Sequence, residues 1–167
     1  MSLSIAIETD GDWDSSSASW DAIADPALRA AIAESAYPHL ADASREVEVS
    51  LAFTTDEEVH ALNRQWRGKD KPTNVLSFPM ADADALAATD GPPLLLGDIA
   101  LAHGVCSREA EEKQIALERH ATHLVVHGML HLLGYDHQDD PSAEDMEARE
   151  TRALSRLGHP DPYGEDD

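Results

Sequence analysis

Residues 3 to 8 alternate, Leu3, Ile5 and Ile7 against Ser4, Ala6 and Glu8, which is the period-two pattern of a half-buried strand. The pattern returns over residues 46–53, where Val47, Val49, Leu51 and Phe53 share one face, and residues 74–78 read as a third strand. Leu94–Ala102 is apolar almost without a break, so it predicts a fourth strand with both faces covered. Between these runs the period becomes helical. Asp25-Pro26 reads as an N-cap and first helical position, and a helix runs from there to about Tyr37, just before Pro38. Thr55-x-x-Glu58 is a capping box opening a helix with Val59, Leu62, Asn63 and Trp66 on its inner face. Gly68 closes that helix and leaves Arg67 in its last turn. Residues 107–133 are helical, with one break before His120, and the apolar second half predicts a buried core helix. Asp140-Pro141 opens a final helix that turns Met146, Ala153, Leu154 and Leu157 inward and ends at Gly158. Residues 9–19 predict a loop, and the acidic, alanine-rich residues 81–90 a mobile one.

Four strands and about four helices, with no internal repeat and no linker, predict one α+β domain with a roughly four-stranded mixed sheet and packed helices. A length of 167 residues suits a single domain spanning the chain, residues 1–2 and 159–167 being flexible. The lone cysteine, Cys106, excludes an intramolecular disulfide. The N-terminus lacks the basic and apolar regions of a secretory signal, and no apolar run approaches a membrane span. These features predict a soluble cytoplasmic protein with no membrane partner.

The segment His127-Gly-Met-Leu-His131-Leu-Leu-Gly134-Tyr-Asp-His137 carries the candidate chemistry. His127 and His131 project from one helix face a turn apart. Gly134 lets the helix end in the left-handed conformation, so that the chain turns back and brings His137 to the same point. Three neutral imidazoles with one open position describe a catalytic zinc site better than a closed structural one. His120 and His123 fall on the same stripe, and geometry alone does not say which pair binds; Gly134 and His137 favour the C-terminal pair. His123 reads either as a partner of the ligands or as a satisfied core histidine, and His120 as a surface or helix-face residue without a role. The spacing equals that of the metzincin proteases, but their general-base glutamate is Gly128 here, which argues against peptide hydrolysis by the usual route.

Two further segments stand beside this one: residues 63–79, Asn-Arg-Gln-Trp-Arg-Gly-Lys-Asp-Lys-Pro-Thr-Asn-Val-Leu-Ser-Phe-Pro, and residues 96–100, Leu-Gly-Asp-Ile-Ala. In their order and separations the three segments resemble the YbeY family of metal-dependent bacterial endoribonucleases, over roughly residues 45–158. The resemblance implies that His127, His131 and His137 bind one Zn2+ ion on a metzincin-like helix packed against the sheet, and that Arg67 acts on the RNA. It further implies single-stranded RNA as substrate, 3′-end maturation of small-subunit ribosomal RNA and ribosome quality control. Small-subunit ribosomal proteins and an assembly GTPase are the partners it implies. Asn74 stands where many relatives have aspartate, which weakens any role for a carboxylate there.

The net charge of −21 opposes RNA binding. The distribution softens this, because four of the twelve basic residues, Arg64, Arg67, Lys69 and Lys71, lie within eight positions. Such a cluster suits phosphates over a metal; it also suits the C-terminal end of any solvated helix. With three Trp, three Tyr and two Phe in all, the chain shows no stacked-aromatic platform of the kind RNA-binding sheets use. Asp98 and Asp136 are candidate helpers of the general base, but each reads better as structural, Asp98 at a strand turn and Asp136 in a turn or behind a metal ligand. The rival readings are a metallopeptidase-like hydrolase with its base elsewhere, and a ribosome-assembly factor whose metal is structural.

Overall fold

The computed structural model describes residues 3–13, 19–136 and 139–163. In it β1 (Leu3–Thr9) pairs in parallel with β2 (Val47–Thr54), Leu3 opposite Val47 through Thr9 opposite Phe53. β2 pairs in parallel with β4 (Leu94–Ala102), and β3 (Val75–Pro79) closes the far edge antiparallel to β4, giving the order β1-β2-β4-β3. The alternation in β2 does what it predicts: Val47, Val49, Leu51 and Phe53 are buried on one face, with Ile99 and Leu101 of β4 beside them. That face is covered by α1 (Trp20–Ala33) and α5 (Leu117–Leu132). α5 is apolar nearly all round because it is enclosed by α1, α4 (His103–Lys113), α6 (Asp140–Arg156), β3 and β4. Gly128 is what lets it approach the sheet, since a Cβ there would meet Ile99 Cγ2 at 3.0 Å.

The other face is only partly covered. α2 (Asp56–Arg67) lies across one end of it, where Val59 joins Leu76, Ala100 and Ala102 in a small second core. Thr55 caps α2 by accepting from the Glu58 amide at 3.1 Å, and Gly68 ends it in the left-handed region, as predicted. β4 is therefore not covered on both faces along its length, and Leu95 is exposed. Trp66 also departs from expectation: it is 64% exposed rather than inward, because it sits in the last turn of α2, beyond the residues that this second core encloses.

Other departures trace to tertiary contacts. α1 starts at Trp20, six residues before Pro26, which lies inside the helix. Trp20 is buried edge-on against Trp13 and beside Phe53, and its indole N–H donates to the Trp13 carbonyl. Burying an aromatic of this size offsets much of the ~3 kcal/mol that an interior proline costs. Residues 81–90 are not all loop: Asp82 caps the single-turn α3 (Ala83–Ala87), which buries Leu86. The predicted break before His120 falls at Gln114, in the left-handed region between α4 and α5. The described residues thus hold six α-helices rather than four. None is long and apolar enough to cross a membrane.

Candidate active site

α5 carries His120, His123, His127 and His131 along one side. His127 and His131 open into a cleft of 420 Å3 shared with Arg67, Asn74, Ser77 and Asp136, between the end of α5 and strand β3. Their ring centroids lie 4.7 Å apart, nearly perpendicular. His137, the third predicted ligand, lies outside the described residues.

The orientation of His127 is set from behind by Glu150 of α6, whose side chain is 0% exposed. Its Oε2 accepts from His127 Nδ1 at 2.7 Å, and its Oε1 accepts from His123 Nε2 at 2.7 Å and from the Tyr163 hydroxyl. Burial pushes this carboxyl up, but the hydrogen bonds from His123 and His127, the charge of His127 and the Tyr163 hydroxyl outweigh it and hold it at about 2. A carboxylate only accepts, so Nδ1 of His127 carries a proton, and in the neutral ring Nε2 is the nitrogen left with a lone pair. That is the tautomer a metal ligand needs, and the carboxylate behind an imidazole is a recurrent partner of such ligands. His123 therefore supports the carboxylate that orients His127.

Arg67 reaches the cleft from the last turn of α2. One guanidinium N–H donates to the Ser77 carbonyl at 2.6 Å, and the group lies 5.4 Å over the Phe78 ring. These contacts fix it to β3 while it stays solvent-exposed. Asn74 lines the same cleft with its side chain turned into the fold: Oδ1 accepts from the Val75 amide at 2.6 Å, and Nδ2 donates to Glu109 Oε1 at 3.0 Å. The same oxygen accepts from His120 Nε2 at 2.8 Å. An aspartate at position 74 would oppose its charge to Glu109, so the asparagine is the partner this network requires.

His120 is accordingly not a surface residue; it is 2% exposed, and burial between α4 and α5 lowers its imidazole's pKa even against the pull of Glu109. Asp136 lines the histidine cleft, whereas Asp98 lies on the open face of the sheet, in a separate cleft. His39, His60 and His103 point elsewhere, to the Leu86 carbonyl, Asp70 and Trp13. The Tyr163 ring packs edge-on against His123. Burial and the Glu150 carboxylate push the Tyr163 hydroxyl's pKa up. The sequence reading missed Glu150, Glu109 and Tyr163.

His127 and His131 fit two ligands of a zinc-type ion by donor chemistry and spacing, and His127 also by the hydrogen bond on its Nδ1. Among the described residues no group of three His, Cys, Asp or Glu side chains gathers as a metal cluster.

A family model described as endoribonuclease YbeY matches residues 12–158. An endoribonuclease YbeY of Erythrobacter litoralis is 55% identical over 170 residues, covering 99% of this chain and 99% of that one. Its counterpart in Sphingopyxis alaskensis is 54% identical over 151 residues, covering 89% and 90%. The solution structure of a Thermotoga maritima protein superposes with a TM-score of 0.55 at 22% identity, over 97% of this chain and 100% of that one, a likeness of fold.

Proposed function

The chain belongs to the YbeY family of endoribonucleases, and from that premise we propose that it is a zinc-dependent nuclease for single-stranded RNA, acting in 3′-end maturation of small-subunit ribosomal RNA and in ribosome quality control in the cytoplasm. The observation that carries the chemistry is the meeting of two imidazoles and one guanidinium in a single cleft of a strongly acidic protein. His127, His131 and His137 would hold the ion. When bound, it supplies Lewis acidity, lowering the pKa of water toward neutrality and polarising a phosphate oxygen.

The chain's own residues do the rest. Glu150 keeps the proton on His127 Nδ1 and so keeps Nε2 basic. Arg67, with one N–H committed to Ser77, has donors left for a non-bridging phosphate oxygen and for the charge that develops on it in the transition state. The position that holds the base in metzincins is Gly128, and its side-chain direction runs into Ile99 rather than the cleft, which counts against the peptidase reading. Small-subunit ribosomal proteins and an assembly GTPase remain the proposed partners.

The test is cleavage of an end-labelled single strand spanning the 3′ end of small-subunit ribosomal RNA. Zinc-loaded wild type is compared with identically purified His131→Ala and Arg67→Ala proteins. Arg67→Ala is expected to lose roughly 100- to 1,000-fold in kcat, the loss seen when one charge-stabilising donor is removed. His131→Ala should lose its zinc and its turnover together, with the circular dichroism spectrum retained. Equal cleavage by all three proteins would overturn the assignment.

A further inference from the structure

Beyond the end of α2, the open face of the sheet forms a second cleft of 630 Å3, larger than the one at the histidines. Leu62 and Trp66 of α2 and Phe78 and Met80 at the end of β3 give it apolar walls, and Glu8 and Asp98 place two carboxylates in it. Pro79 borders both clefts, so the two adjoin at that residue. Trp66 is 64% and Met80 58% exposed, whereas Trp13 and Trp20 are buried, so folding gains little from the Trp66 indole. It is bonded in sequence to Arg67. Arg64, Arg67, Lys69 and Lys71 are all exposed, and none enters a salt bridge among the described residues.

We propose that this cleft receives an unstacked base of the RNA strand whose phosphate Arg67 holds, with Trp66 as the stacking surface. The inference rests on the nuclease reading above and names the subsite next to its reacting phosphate. Exposed cations outside any salt bridge, beside an exposed aromatic, match the two halves of a nucleotide, phosphate and base. The carboxylates of Glu8 and Asp98 fix which half enters. They repel a phosphate, and they accept hydrogen bonds from the amino and imino N–H groups on base edges. The strand thus runs with its backbone along residues 64–71 and a base turned in over the sheet. Duplex RNA cannot present such a base, so the cleft also supplies the preference for single strands.

Two readouts test this. The first is quenching of tryptophan fluorescence by a cleavage-resistant 2′-O-methyl phosphorothioate strand, set against an abasic strand of equal length. The base-bearing strand should quench the solvent-exposed emission and the abasic strand should not; Trp66→Phe should abolish the change. The second is steady-state cleavage. Trp66→Ala should raise KM about tenfold, the scale of one stacked base, with kcat within about twofold, and Trp66→Phe should recover most of the loss. Equal quenching by both strands, or an unchanged KM in Trp66→Ala, overturns the base cleft while leaving the nuclease intact, and would turn the cleft over to a protein partner. If wild type cuts no RNA, the nuclease reading fails, and the quenching comparison still decides whether the cleft takes a base.

Discussion

Which nitrogen of His127 faces the cleft is decided by one side chain with no solvent contact. Glu150 accepts from His127 with one oxygen and from His123 with the other, and only a carboxylate offers an acceptor to both. Glu150→Gln keeps the shape and removes one acceptor. Its amide nitrogen must then face one of the two imidazoles, and that ring has to change tautomer or turn over. Zinc affinity is expected to fall about 10- to 100-fold, the usual cost of losing a carboxylate behind a ligating histidine. Competition with a chromophoric chelator measures it, and an unchanged affinity would mean that Glu150 orients nothing. A signal for Glu150 was present in the sequence. At about 100° per residue it falls on the same stripe of α6 as Met146, Ala153 and Leu154, so a charge stood on a face read as apolar. Glu109 gave no such signal, because its meaning depends on Asn74 and His120 arriving from other elements.

At the level of elements, β3 holds Arg67 in place, and Gly97 of β4 holds β3. Gly97 has φ +141, where side chains are strained, and lies beside the register shift between Glu48 and Val49 of β2. A Cβ there would sit 2.3 Å from the Phe78 carbonyl oxygen and 2.9 Å from Leu132 Cδ2. Gly97→Ala must push β3 away from β4 or bend both, and the Ser77 carbonyl that anchors Arg67 moves with it. The expected loss is about 2–4 kcal/mol in urea denaturation, from overpacking and backbone strain together. A loss under about 0.5 kcal/mol, within the range of ordinary surface changes, would refute the close approach. Strands and caps were readable because their causes are local: β2 by alternation, α2 by Thr55 and Gly68. The start of α1 was not, because Trp20 is held by Trp13 and Phe53 across the fold. Trp66 was misread for the converse reason. Helical period assigns it the side of α2 that carries Val59 and Asn63, but the core beneath that side stops short of the last turn.

For the molecule as a whole, the difficulty is a net charge of −21 on a member of an RNA-cleaving family. The cations outside residues 64–71 are largely consumed by the protein's own acceptors. Arg29 pairs with Asp25, Arg108 with Asp56, Arg149 with Asp145, and Arg152 and Arg156 both with Glu34, while Arg45 is spent on the Pro92 carbonyl. The four exposed cations of residues 64–71 limit how many phosphates this track neutralises, and each contact to a single strand contributes about −0.7 to the slope of log affinity against log salt. RNA binding should therefore show a slope no steeper than about −3, and Lys69→Ala or Lys71→Ala should each flatten it by about 0.7. Repulsion from the acidic body works the other way. Salt screens it over a Debye length of about 10 Å at 0.1 M, so added salt relieves part of what it takes from the contacts and makes the observed slope shallower still. Fluorescence anisotropy of a labelled single strand across a salt series measures it. A slope well beyond −3 would mean that cations outside residues 64–71 also meet RNA, and that the cluster at residues 64–71 is not the main phosphate track.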